Sequence, residues 1–151
     1  MSDQKSLSPS GLLFIQRHEG YSSTVYKDSA GFPTIGYGHL IKPGEDFSNG
    51  VTQEQALQIL AQDARTAVDD VNSKVRGNPS QTQFDALVDF TFNLGGDNFG
   101  KSILLANINS GKTVVIKNFT DWNHADGQVV PGLTKRRTDE FNLFTKGDYG
   151  S

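Results

Sequence analysis

Four polar side chains that could take part in chemistry fall within a short stretch near the start of the chain: Glu19, Asp28, Thr34 and His39. A pair of carboxyl groups is what glycoside hydrolysis requires, because one must donate a proton to the leaving oxygen while the other stays ionised. The negative end of a helix dipole favours the protonated form of a nearby carboxyl, which would suit Glu19 as the acid. The hydroxyl of Thr34 could hold a water molecule against Asp28.

Each of these residues also has an ordinary structural interpretation. A glutamate before a helix-ending glycine is usually on the surface, and an aspartate that opens a D-x-x-G turn usually serves the turn. A threonine in a strand reflects β propensity, and a histidine after a glycine-rich strand is as often structural as functional. The spacing of these residues by itself therefore indicates only an α+β, hydrolase-like domain.

The elements around these residues can be predicted from capping and turn signals. Ser8, Ser10 and Pro9 open a helix that continues to Glu19, and Gly20 ends it. The segment 22–27 is rich in β-branched and aromatic residues, 28–31 fits a turn, and 32–37 is predicted to return as a second strand. Glu19 is therefore expected where a helix end meets a small β-hairpin or meander.

The rest of the chain is predicted to be helical. Thr52–Gln55 and Ser80–Gln83 are capping boxes, and the first opens the longest predicted helix, near 53–76. We further predict a helix from Ser80 to Gly95, short helices at 102–108 and 114–122, a loop at 126–131 and a last helix at 133–144.

This pattern predicts one α+β domain that is mostly helical. Its β-rich lobe would span about 20–52, its linking helix about 53–76, and its helical lobe about 80–145 together with the N-terminal helix. A cleft between two lobes is the usual place for a site.

Composition excludes several classes of function. The 151 residues carry a net charge of −3, which gives no support for nucleic-acid binding. We interpret the basic run Lys135–Arg137 as a solvated helix face. There is no cysteine, and the three histidines have no metal-site spacing, so we expect no metal and no cofactor. We find no stretch apolar enough for a signal peptide or a membrane helix.

Three blocks of the sequence, in order, resemble the phage-type lysozymes, the family of glycoside hydrolase family 24. The first joins His18-Glu19-Gly20 to the stretches 25–31 (V-Y-K-D-S-A-G) and 34–40 (T-I-G-Y-G-H-L). The second is F-N-L-G at 92–95. The third is P-G-L-T-K-R-R at 131–137, followed by Glu140, Leu143 and Phe144. Many relatives carry two glycines before this last block, where the chain has Asp126-Gly127.

The resemblance implies a lysozyme that cleaves the β-1,4 bond between N-acetylmuramic acid and N-acetylglucosamine in peptidoglycan. Glu19 would be the general acid, and Asp28 with Thr34 would position the attacking water, so that the sugar configuration inverts. Inverting enzymes keep their two carboxyl groups roughly 6.5–9.5 Å apart, compared with roughly 5–5.5 Å in retaining ones.

The resemblance also implies roles for residues around this centre. Arg136 or Arg137 would lie near Glu19 and pair with it. His39 would support the site without touching the substrate itself. Three further positions resemble residues that touch the saccharide: Leu40, Phe92 and Ser102. Phe92 also fits a plain core position on its helix.

Two alternatives to a hydrolase stay open. A lytic transglycosylase works with the glutamate alone, and the presence of both Asp28 and Thr34 favours water as the acceptor. A non-catalytic glycan-binding module of a delivery device would be expected to lack Glu19 or Asp28. We expect a monomer, made in the cytoplasm, that reaches the periplasm or cell wall through holin-type release or a secretion or injection system.

Overall fold

The computed structural model describes residues 4–28, 30–125 and 127–150. Within them the architecture is α+β and mostly helical, as predicted. The helices are α1 (Pro9–Glu19), α2 (Gln53–Lys74), α3 (Gln81–Leu94), α4 (Gly96–Gly100), α5 (Ile103–Ser110), α6 (Ile116–Thr120) and α7 (Pro131–Lys146). The strands are β1 (Ser22–Lys27), β2 (Pro33–Gly36), β3 (His39–Leu40), β4 (His124–Ala125) and β5 (Gln128–Val129).

The first sheet is a three-stranded antiparallel meander in the order β1-β2-β3. Tyr26 pairs with Thr34 across β1 and β2, and Ile35 pairs with His39 across β2 and β3. The predicted hairpin is therefore confirmed, and the short third strand completes a sheet that starts directly after α1. This arrangement brings the sequence around Thr34 and His39 back beside the end of α1.

Both predicted capping boxes are formed. The Gln55 N–H donates to Thr52 Oγ1, and the Gln55 side chain accepts from the Thr52 N–H. At the start of α3 the Ser80 hydroxyl accepts from the Gln83 N–H, and the Gln83 side chain returns the bond. Each box satisfies two backbone groups that a helix N-terminus otherwise leaves unpaired.

Two segments differ from the sequence prediction. The predicted loop 126–131 instead contains β5 and the first residue of α7, because β4 and β5 form a hairpin whose turn includes Gly127 at φ +77°. Asp126 lies outside the described residues. The glycine pair that ends α3 also opens the short helix α4, which buries Phe99 completely.

The chain divides into two compact units. The β-rich unit is Leu12–Arg65, and the helical unit comprises the residues up to Gly11 together with those from Thr66 onward. The sequence assigned the N-terminal helix to the helical lobe, whereas from Leu12 onward this helix groups with the β-rich unit. Phe14 and Ile15, in the part of α1 that belongs to the β-rich unit, are buried hydrophobic residues.

Each unit has its own buried apolar residues. In the β-rich unit they are Phe14, Ile15, Ile35, Tyr37, Ala56, Leu60 and Ala64. In the helical unit they include Val71, Phe84, Leu87, Phe90, Phe99, Leu104, Phe119 and Leu143, and the Phe90 ring makes edge-to-face contacts with Phe99 and Phe119. None of the helices in the described part of the chain combines the length and apolar character needed to cross a membrane.

Candidate active site

Glu19 is the last residue of α1, and its carboxyl lies against the turn between β2 and β3. A Cβ atom placed on Gly38 would sit only 2.7 Å from Glu19 Oε1. Gly38 also has φ +79°, a conformation that side-chain-bearing residues rarely adopt. Gly38 therefore makes room for the carboxyl of Glu19.

Asp28 lies directly after β1 and is held by backbone groups of its own turn. Its Oδ1 atom accepts the N–H groups of Ala30 and Phe32, each at 2.9 Å. The Asp28 backbone N–H donates to the Phe32 carbonyl, also at 2.9 Å. Oδ2 has no hydrogen-bond partner among the described residues, and the side chain is partly exposed. Asp28 therefore combines a fixed position with one oxygen that can accept a further hydrogen.

Thr34 lies in β2, and its side chain is buried. Its hydroxyl donates to the Phe32 carbonyl at 2.9 Å, which uses the hydroxyl hydrogen and leaves the oxygen as an acceptor. The Phe32 carbonyl thus accepts hydrogen bonds from both the Asp28 N–H and the Thr34 hydroxyl. The Asp28 carboxylate and the Thr34 hydroxyl can both accept hydrogens of a water molecule, which is the chemistry expected of them.

His39 is buried in β3 between two carboxylates of the β-rich unit. Its Nδ1 lies 2.8 Å from Asp63 of α2, and its Nε2 lies 3.0 Å from Glu45. Burial lowers the pKa of the imidazole, but the hydrogen bonds and negative charges of Asp63 and Glu45 outweigh burial and raise that pKa above its ordinary value. The N–H of Lys42 and the ring of His39 in turn lower the pKa of Glu45. His39 therefore fixes β3 to α2 and to the loop that follows, and Asp63 and Glu45 are partners that the sequence did not identify.

The three predicted saccharide contacts have different environments. Leu40 is 53% exposed at the end of β3, which leaves it accessible to a ligand. Phe92 is partly buried on α3. Ser102 is buried and caps α5: its hydroxyl accepts from the Leu105 N–H and donates to the Phe99 carbonyl. The saccharide contacts of these three residues stay predictions. The Ser102 hydroxyl already donates one hydrogen bond and accepts another within the protein, so it has only one lone pair left for a ligand.

Arg136 and Arg137 are buried on α7 and have carboxylate partners within the helical unit. Arg136 binds Asp89 of α3 through two hydrogen bonds, at 2.7 and 2.9 Å. Arg137 pairs with Glu140, one turn further along α7, with N–O distances of 2.8 and 2.9 Å, and its guanidinium lies over the Phe90 ring. Their expected pairing with Glu19 stays a prediction.

The pKa values of the two carboxyl groups in this buried cluster are shifted in opposite directions. Burial raises the pKa of Asp89, but the charge and hydrogen bonds of Arg136 more than offset it and hold that pKa at about 2. Burial raises the pKa of Glu140 well above its ordinary value, and the neighbouring charge of Asp89 adds to this effect. Asp89 was not predicted from the sequence because one aspartate in an apolar helix forms no motif, although a charged residue on the buried side of α3 is itself a signal.

In the described ranges no group of three or more histidine, aspartate or glutamate side chains has an arrangement that could hold a metal ion. The His39 cluster is an imidazole placed between two carboxylates, and its ring nitrogens are used in those contacts.

The sequence model of the family described as “Phage lysozyme” matches residues 16–140. The chain belongs to the phage lysozyme family. It is 38% identical over 146 residues to the endolysin of Bacillus phage PZA, an alignment that covers 93% of this chain and 55% of that protein. The chain thus spans little more than half the length of that relative.

Solved structures of phage lysozyme type share the fold. An endolysin from Escherichia coli O157:H7 phage FAHEc1 matches with a TM-score of 0.90 and 32% identity over 100% of both chains. The muramidase domain of SpmX from Asticaccaulis excentricus matches with a TM-score of 0.84 and 34% identity over 93% of this chain and 98% of that one. The lysozyme-like α+β fold predicted from the ordered motifs is therefore confirmed.

Proposed function

We propose that this phage lysozyme family member hydrolyses the glycan strands of bacterial peptidoglycan. The bond cleaved would be the β-1,4 linkage between N-acetylmuramic acid and N-acetylglucosamine. One observation carries the proposal: Glu19 lies at the end of α1 against Gly38, while Asp28 and Thr34 of the same unit each offer a hydrogen-bond acceptor beside one β-turn. The names of the endolysin and muramidase relatives support the same substrate.

In the proposed reaction, protonated Glu19 donates its hydrogen to the glycosidic oxygen as the bond to the anomeric carbon breaks. A water molecule donates one hydrogen bond to Asp28 Oδ2 and one to Thr34 Oγ1, so that a lone pair on its oxygen faces the anomeric carbon. The water oxygen bonds to that carbon from the side opposite the leaving group, and Asp28 accepts the released proton. The products are two shorter glycans, and the new reducing end has the inverted, α configuration.

Partners and location are part of the same proposal. Peptidoglycan strands would be the ligand, and the protein would act on the cell wall after release from the cell that makes it, as the endolysin names of its relatives suggest. A single chain supplies Glu19, Asp28 and Thr34, so a monomer is sufficient for the chemistry.

The variant Glu19→Gln tests the proposal. An amide cannot donate the proton, so the rate of turbidity loss of purified peptidoglycan should fall by about 10²–10⁴-fold. The melting temperature should stay that of the wild type, because the substitution keeps the shape of the side chain beside Gly38. Glu54→Gln, an exposed glutamate of α2, is the matched control and should retain full activity. Equal activity of Glu19→Gln and wild type would contradict the proposal.

A further inference from the structure

Phe32 joins Asp28 to Thr34 through its backbone. Its N–H donates to Asp28 Oδ1, and its carbonyl accepts both the Asp28 N–H and the Thr34 hydroxyl, each at 2.9 Å. All three bonds use main-chain atoms of Phe32. The backbone of Phe32 is therefore held between the two residues to which we assign the attacking water, and none of these bonds uses the ring.

The ring of Phe32 is exposed. Its residue is 59% accessible, the highest value for any Phe, Tyr or Trp in the described ranges. A single exposed apolar residue is ordinary on a protein surface. Phe32 differs from such a residue because three hydrogen bonds already hold its backbone. The protein backbone would therefore lose little conformational freedom when a ligand contacts the ring.

The same hairpin carries a second exposed aromatic residue. Tyr26 pairs with Thr34 across β1 and β2, and Asp28 and Phe32 form the next pair toward the turn through their backbone bond. Tyr26 is 39% exposed, so the hairpin that positions the Asp28 carboxylate presents two exposed aromatic residues, Tyr26 and Phe32.

We propose that Phe32 is a substrate-positioning residue whose ring stacks on a sugar of the glycan strand beside Asp28. The inference rests on the proposed function and adds a subsite to it. A β-1,4-linked pyranose has equatorial substituents and presents axial C–H groups on its broad faces. Those hydrogens match the negative face of an aromatic ring, and the contact removes apolar surface of both partners from water.

The test is a set of substitutions at Phe32 that leave its backbone bonds in place. Phe32→Ala and Phe32→Leu should raise KM for purified peptidoglycan about 5- to 20-fold and change kcat by less than about threefold. Phe32→Trp keeps an aromatic face and should behave like the wild type. The matched control is Val25→Ala, which removes another exposed apolar side chain of β1, 47% accessible, and should leave both constants unchanged.

Three outcomes would overturn this inference while leaving hydrolysis intact. The first is an unchanged KM for Phe32→Ala, and the second is a Leu variant as active as the Trp variant. The third is a loss confined to kcat, which would mean that the residue acts only by holding Asp28 and Thr34.

Binding separates failure of the inference from failure of the proposed function. Co-sedimentation with insoluble peptidoglycan compares Glu19→Gln with the double variant Glu19→Gln/Phe32→Ala, neither of which needs to cleave. Weaker binding of the double variant by the same 5- to 20-fold supports stacking even if the wild type proves inactive. Equal binding of the two would overturn the inference whatever the wild type does.

Discussion

The carboxyl groups of the β-rich unit and those of the helical unit are held in opposite ways. Asp28 is fixed by two backbone N–H groups on one oxygen, is partly exposed, and keeps its other oxygen open among the described residues. Asp89 and Glu140 are fully buried, and guanidinium groups lie against them.

The comparison shows how one chain can use the same side-chain chemistry for two purposes. Backbone donors fix a carboxylate without surrounding it, so that an oxygen stays available for water. A buried ion pair surrounds the carboxylate completely, and removal of either partner then leaves a charge without compensation. We therefore expect substitutions in the helical cluster to affect stability and substitutions around Glu19 and Asp28 to affect activity.

The largest stability effect is expected for Asp89→Asn. The substitution keeps the size of the side chain but removes the carboxylate charge that accepts two hydrogen bonds from buried Arg136, at a cost of about 3–5 kcal/mol in the free energy of unfolding. Urea titration measures this loss, and the rate per folded molecule should stay that of the wild type.

The surface pair of Lys117 and Asp121 provides the control for Asp89→Asn. Both side chains are well exposed, so Asp121→Asn should cost less than about 1 kcal/mol. A similar loss in the free energy of unfolding for the two substitutions would contradict the expected difference between buried and exposed carboxylates.

Gly38→Ala should reduce both stability and activity. The positive φ alone should cost about 1–2 kcal/mol for a residue with a Cβ atom. The new Cβ would also lie 2.7 Å from Glu19 Oε1, so the carboxyl that we propose as the acid must move, and the rate of peptidoglycan hydrolysis should fall. Thermal unfolding and turbidity assays measure the two effects separately.

Gly44→Ala isolates the effect on Glu19. Gly44 has φ +90° in the same unit, and a Cβ atom there would meet nothing within 4 Å. This variant should lose a similar amount of stability and keep its activity. If Gly44→Ala and Gly38→Ala lost activity equally, the contact between Gly38 and Glu19 would not explain the loss.

The smallest expected effect is a pH dependence of stability from His39. Its raised pKa means that the folded protein binds the imidazole proton more tightly than the unfolded chain does. The stabilisation is complete below the ordinary pKa of about 6.5 and is lost as pH rises through the raised, folded-state pKa.

The difference in melting temperature between wild type and Asp63→Asn measures this contribution. It should be largest at about pH 5–6 and shrink as the pH is raised above neutrality. Asp69→Asn, at an exposed position of the same helix, should show no such trend. A difference for Asp63→Asn that stays constant across this range would mean that His39 is not charged between its two partners.

Much of the architecture could be predicted because its signals are local. The capping residues Thr52 and Ser80 mark helix starts, and Asp28 with Gly31 marks the hairpin turn. The hairpin of β4 and β5 also had a local signal in the sequence, the dipeptide Asp-Gly, which is typical of hairpin turns, but we predicted a loop there. Helix α4 had no such signal, because its glycines favour an end to a helix and only the burial of Phe99 explains its formation.

The candidate site likewise has features that the local sequence predicts and others that it does not. The positions of Glu19, Asp28 and Thr34 follow from the end of one helix and the register of one hairpin, both of which are local. The partners of His39 and Arg136 are distant in sequence, since Asp63 and Asp89 lie 24 and 47 residues away. Spacing alone cannot reveal such pairs, because tertiary packing selects them.

The most direct test of the central claim is digestion of purified peptidoglycan in water enriched in ¹⁸O, followed by mass spectrometry of the released fragments. Hydrolysis with Glu19 as the acid should release reducing-end muropeptides that carry one solvent-derived oxygen at each new end, from wild type and not from Glu19→Gln. Anhydro sugar ends without solvent oxygen would contradict it, because Asp28 and Thr34 would then hold no attacking water.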